Sequence, residues 1–174
     1  MGNEQEARAE IDRLLTAAGW RVQDPKAANI LAAQGVAIRE FELKDGHGTA
    51  DYMLYVDGRA VGVLEAKKVG FTLSGVETQS DKYVKGLPDG LPAWRKPLPF
   101  AYQSTGEETQ FTNGLDPQPR SRAVFAFHKP EILAEWVKYA IPSAGEAPAS
   151  FLGRMGSMPA LVEGDLWPAQ IKAI

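Results

Sequence analysis

The run from Thr49 to Lys68, TADYMLYVDGRAVGVLEAKK, restricts what this chain can fold into more than any other stretch. Two apolar, alternating segments flank Asp57-Gly58, the dipeptide that most strongly signals a tight hairpin turn. Tyr52, Leu54 and Val56 alternate with Asp51, Met53 and Tyr55; past the turn, Val61, Val63, Glu65 and Lys67 alternate with Gly62, Leu64 and Ala66. Strand side chains point to opposite faces with period two, so Glu65 and Lys67 share a face. A carboxylate and an ammonium at the end of an apolar strand are costly to bury without partners. The nearest candidate partner is Asp51.

Whether Asp51 reaches that face depends on the turn. A two-residue loop at Asp57-Gly58 sets Asp51 opposite Leu64 and leaves the two carboxylates on opposite faces. A three-residue loop, Val56-Asp57-Gly58, sets Asp51 opposite Val63 and diagonal to Glu65. Diagonal neighbours lie roughly 7–8 Å apart, close enough for two carboxylates to share one ion. An odd-length loop or a bulge is therefore expected.

The rest of the chain supplies an ordinary domain around this hairpin. Its 174 residues suffice for one real core plus an appendage. Residues 3–18 read as an amphipathic helix, with Ile11, Leu14, Leu15 and Ala18 at helical spacing and Gly19 as C-cap. Trp20 to Val22 leads back to the core, and residues 35–43 alternate as a strand with Val36, Ile38 and Glu40 on one side. A glycine-rich loop follows, whose His47 could approach the hairpin end. Residues 76–86 read as a helix, with Gln79 and Tyr83 on one face. Residues 100–104 and 108–112 are short strands, 123–127 a buried strand or turn, and 130–139 a helix with Pro130 in its first turn. The order of helices and strands reads as an α/β (α+β) fold class.

From residue 141 to 165 the Ala, Gly, Pro and Ser content predicts a linker, and 166–174 (LWPAQIKAI with its leading Leu166) begins a new helix without a cap, as expected of a piece of a longer chain. There are no cysteines, hence no disulfide or thiolate site; two histidines are too few for zinc. No long apolar run suggests a membrane span, and a cytoplasmic protein is expected. The net charge of −3 counts against a self-sufficient nucleic-acid binder, which usually shows a basic stripe.

The chemistry centres on Asp51, then a strand and turn, then Glu65-Ala66-Lys67. Two carboxylates and the Ala66 carbonyl offer hard oxygen ligands to Mg²⁺, an ion that keeps several waters. Such an ion lowers the pKa of a bound water and neutralises charge on an attacked phosphate. Lys67 beside it can orient the water or stabilise phosphate oxygens. Glu6 on the first helix is the further candidate carboxylate, with Glu10 and Glu4 as alternatives. A solvated hairpin end is the opposing reading.

These residues together resemble the PD-(D/E)xK nuclease superfamily, and within it the N-terminal domain of the restriction (R) subunit of type I restriction–modification enzymes. Glu6-Ala7-Arg8 with Ile11-Asp12, Leu15 and Ala18-Gly19-Trp20 is similar to that family's first-helix signature; Asp51 and Glu65-Ala66-Lys67 match the nuclease core. Gln79 and Tyr83 match the Gln-x-x-x-Tyr signature, and Leu166 to Ile174 resembles the helix that opens a helicase motor. Ala50 stands where the superfamily has proline. The resemblance implies a restriction-endonuclease-like core over residues 1–140, a mixed central sheet flanked by helices, and a Mg²⁺-dependent endonuclease cutting double-stranded DNA. It also implies methylation and specificity subunits as partners, and an ATP-driven motor at 166–174 and beyond that itself binds the ATP. Gln79 and Tyr83 would then orient DNA near the metal. The alternatives are a stand-alone or repair nuclease of the same fold, or a non-catalytic docking module.

Overall fold

The computed structural model describes residues 2–73, 84–116 and 119–140. The predicted helix at 76–86 with Gln79 and Tyr83, the linker at 141–165 and the start of a motor at 166–174 lie outside the described residues, save for the last residues of that helix.

The first helix, α1 (Gly2–Ala17), closes at Gly19, whose φ of 93° only glycine adopts freely. The Trp20 N–H bonds the Leu15 carbonyl and the Gly19 N–H the Thr16 carbonyl, the paired bonds of a Schellman cap. Strands β1 (Arg21–Gln23), β2 (Gly35–Glu42), β3 (Thr49–Val56), β4 (Arg59–Ala66), β5 (Phe100–Ser104), β6 (Thr109–Asn113) and β7 (Ser121–Val124) form one sheet in sequence order. The second described helix, α2 (Pro130–Ala140), follows. The β1–β2 and β4–β5 pairs are parallel and the other four antiparallel, so the sheet is mixed, as the sequence led us to expect.

Each sheet face carries its own core. On one, Tyr52, Leu54, Leu64, Phe100 and Tyr102 pack against Ile11 and Leu15 of α1 and Leu133 and Val137 of α2. On the other, Val36, Ile38, Met53, Tyr55 and Val63 are buried with Leu87 and Leu98. Burial on both faces explains why β3 to β5 read as near-continuous apolar runs. The last strand does not follow that pattern. Only its neighbour Phe127 is buried; β7 lies at the sheet edge, half-buried at its ends and exposed between them, and Phe125 is fully exposed, so the expected buried strand or turn at 123–127 is corrected to the end of an edge strand followed by a bend. With one neighbour instead of two, its side chains need not face a core.

Helix α1 is fastened to the sheet by charge as well as by its apolar stripe. Arg39 donates through Nη2 to Asp12 at 2.7 Å and through Nη1 to Asp24 at 2.7 Å. The Tyr52 hydroxyl donates to Asp12 Oδ1 at 2.9 Å. Together they fix the rotation of α1 over β2 and β3.

Candidate active site

The hairpin closes by the second of the two expected routes, a bulge rather than an odd-length loop. Val56 pairs with Arg59, leaving a two-residue loop at Asp57 and Gly58, both at positive φ (49° and 72°), as a type I′ turn requires. The three-residue loop is therefore corrected. The register then shifts: Tyr55 pairs with Ala60 but Leu54 with Gly62, so Val61 is an extra residue in β4. This bulge returns Asp51 to the face of Glu65, and more closely than a three-residue loop would. Met53, not Asp51, faces Val63; Tyr52 faces Leu64, so the ladder carried one step further sets Asp51 directly across from Glu65.

Here the three charged groups meet. Asp51 Oδ2 accepts the Ala66 N–H at 2.9 Å, tying β3 to β4 beside the predicted carbonyl ligand. The Lys67 ammonium donates to Glu65 Oε1 at 3.0 Å. Asp51, Glu65 and Lys67 line an open basin of about 920 Å³ together with Arg8, Glu40 and Glu42. All three are largely withdrawn from solvent, with side chains 15%, 12% and 17% exposed. Burial raises the pKa of Glu65 above the ordinary carboxylate value; Asp51 adds to the rise and Lys67 opposes it.

The arrangement suits a hard divalent cation. Glu65 Oε2 is buried and has no hydrogen-bond partner, a costly state for a carboxylate oxygen unless an ion meets it. Among the described residues no group of three or more His, Asp or Glu side chains is placed to hold a metal ion, so the two carboxylates would need other oxygens beside them. Two carboxylates and a carbonyl, with waters completing the shell, are what Mg²⁺ accepts.

The helix-1 carboxylate is not brought in. Glu6 is exposed and does not line the basin, Glu10 is paired with Arg13 at 2.6 Å, and the side chain of Glu4 is outside the described residues. Helix α1 instead presents Arg8, which donates to Asp51 Oδ1 at 2.6 Å and to Glu40 Oε1 at 2.9 Å. His47 does not line the basin either; its side chain lies against Gly86. The sequence reading missed Arg8 and Glu40. A signal existed for Arg8: Ala7, Ile11 and Leu15 form the fully buried stripe of α1, and Arg8 and Asp12 flank it one turn apart. It also missed Gln103, buried on β5 in register with Glu65.

Residues 22–112, just over half of the chain, match the family model described as the type I restriction enzyme EcoKI endonuclease subunit second domain. The chain belongs to that family. Its fold is also that of a solved structure described as a fragment of an HsdR subunit of a type I restriction enzyme from Vibrio vulnificus YJ016. That match has a TM-score of 0.53 at 21% identity and covers 76% of this chain and 25% of the other. The chain thus spans about a quarter of that relative's length. No curated protein matches it. A type I restriction enzyme subunit domain with a mixed-sheet α/β fold is therefore established, and among the described residues no helix is long and apolar enough to cross a membrane.

Proposed function

We propose that this domain is the DNA-cutting centre of a type I restriction enzyme R subunit, hydrolysing phosphodiesters of double-stranded DNA with Mg²⁺. The observation that carries the reading is the meeting of Asp51, Glu65 and Lys67 in one basin, with the buried Glu65 Oε2 unpartnered. Asp51, Glu65 and the Ala66 carbonyl would hold the ion. When bound, Mg²⁺ would supply an acidified water as nucleophile and offset charge gathering on the attacked phosphate.

The chain's own groups do the rest. Lys67, anchored by Glu65, has a compact ammonium that would point a water or stabilise a phosphate oxygen. Burial of the basin walls strengthens both effects, because charges interact more strongly where water is displaced. Gln79 and Tyr83 are proposed to orient the scissile strand, on the family pattern alone. In this reading the remaining subunit carries the ATP-driven motor, while methylation and specificity subunits complete the complex and select the DNA site. The acidic balance of the domain fits that division, since partners can provide most phosphate contacts.

The test is Lys67→Ala in the assembled full-length enzyme. DNA cutting is expected to fall by at least about a hundredfold, the scale of losing one positioned electrostatic group, while ATP hydrolysis and translocation persist. Cutting at the wild-type rate would remove Lys67 from the mechanism. Robust cutting by the isolated chain, with neither ATP nor partners, would instead favour a self-sufficient nuclease.

A further inference from the structure

Helix α1 delivers two charged side chains to the sheet, one turn apart. Asp12 is accounted for by Arg39 and Tyr52, which fasten the helix. Arg8 also reaches the sheet, but at the carboxylates of the basin. Its side chain is about a third exposed, at 36%, yet its guanidinium spans two carboxylates, Asp51 at 2.6 Å and Glu40 at 2.9 Å. Glu40 holds its end of this bridge from a backbone φ of 44°, inside the left-handed region that a non-glycine residue in a strand rarely enters. Strain of that kind persists only where the surroundings over-determine it.

The consequence for Asp51 is that both its oxygens are engaged, Oδ1 by Arg8 and Oδ2 by the Ala66 N–H. Glu65, its neighbour across the strand pair, keeps Oε2 open. A hydrogen bond from a backbone amide leaves a carboxylate's negative charge intact for an ion. A guanidinium does not: it neutralises the charge and repels a second cation placed on the same oxygen.

We propose that Arg8 is a built-in counter-ion of the metal site. It holds Asp51 in the ion-free protein and leaves Oδ1 for Glu40 when a divalent cation is loaded, so that it sets how tightly the site takes the ion. This rests on the reading of Asp51 and Glu65 as metal ligands. Arg8 is thus a positioning residue acting through Asp51, and its removal strengthens metal binding where removal of a structural ion pair would weaken it or leave it unchanged.

The experiment is a Mn²⁺ titration of the full 174-residue chain, followed by calorimetry and water-proton relaxation, with thermal melting to confirm folding. Arg8→Met and the polar variant Arg8→Gln are both expected to bind Mn²⁺ about tenfold more tightly than wild type. Lys68→Met, which removes an exposed positive charge from the rim of the same basin, is expected to shift affinity less than about twofold. Adding Asp51→Asn to Arg8→Met should abolish the gain. Affinity unchanged or weakened in both Arg8 variants, or raised no more than by Lys68→Met, overturns the proposal while leaving the metal site standing. If neither wild type nor either Arg8 variant binds Mn²⁺ in an Asp51-dependent way, the metal reading falls and this inference with it.

Discussion

Glu65 is the residue on which the site's energetics turn. Its carboxylate sits where the charged form is poorly hydrated, faces Asp51, and has one oxygen without a hydrogen-bond partner. A folded-state pKa above the unfolded value means that the folded protein binds the proton more readily, so the group favours folding at low pH and opposes it once pH rises through the raised pKa. The charged form is therefore disfavoured by the fold. We predict that Glu65→Gln melts at a higher temperature than wild type at pH 8, and that the gap closes as pH falls below the ordinary carboxylate range. Thermal denaturation across that range checks it; a variant less stable than wild type at pH 8 would show that the Lys67 pair outweighs burial. The pairing of Glu65 with Lys67 was legible in the sequence because period two fixes their common face. The bridge from Arg8 was not, since it depends on how α1 is rotated over the sheet, and that rotation is set by Asp12, Arg39 and Tyr52 from three separate elements.

Among the elements, the β3–β4 hairpin decides whether a site exists. Its strands and turn dipeptide were readable from alternation and from Asp57-Gly58, and so was the need for an odd-length loop or a bulge; which of the two forms, and hence the exact register, was not. A bulge adds one residue without any change of composition, and here it converts a turn that would separate the carboxylates into one that opposes them. Gly62, the residue after the bulged Val61, is the nearest thing to a mark in the sequence. A Cβ on Gly62 would meet the Phe100 carbonyl oxygen within contact distance and the Phe100 Cβ at 2.9 Å. Both belong to β5, paired in parallel with β4, so neither can swing away. Gly62→Ala is accordingly expected to destabilise the domain by about 1–3 kcal/mol, the usual cost of overpacking a closed interior. Chemical denaturation checks it. A loss under about 0.5 kcal/mol, the range of a neutral surface change, would mean that β4 and β5 separate easily and that the bulge is not held by its neighbour strand.

Over the whole molecule, the sequential strand order puts the hairpin near the middle of the sheet, with α1 and α2 on one face and the basin at the strand ends where β3 begins and β4 finishes. The Lys138 ammonium of α2 reaches Asp57 at 3.1 Å at the opposite end of the hairpin, so its turn is anchored while its site end opens to solvent. Both described helices could be foreseen from apolar periodicity, whereas the mixed sheet was implied by the family resemblance. The exposure of β7 could not, because edge position is a property of the assembled sheet and not of Ala123 to Phe127 themselves. With a net charge of −3 and a basin rich in carboxylates, the domain has little of its own to attract a phosphate backbone until a cation is bound. The proposed function therefore rests on whether a cation binds there and where it sits. Crystals grown or soaked with Mn²⁺ and measured for anomalous scattering locate it directly. The predicted result is a peak between β3 and β4, about 2.1–2.2 Å from an Asp51 oxygen and from Glu65 Oε2; strong anomalous peaks elsewhere, with none between those two carboxylates, would contradict the account.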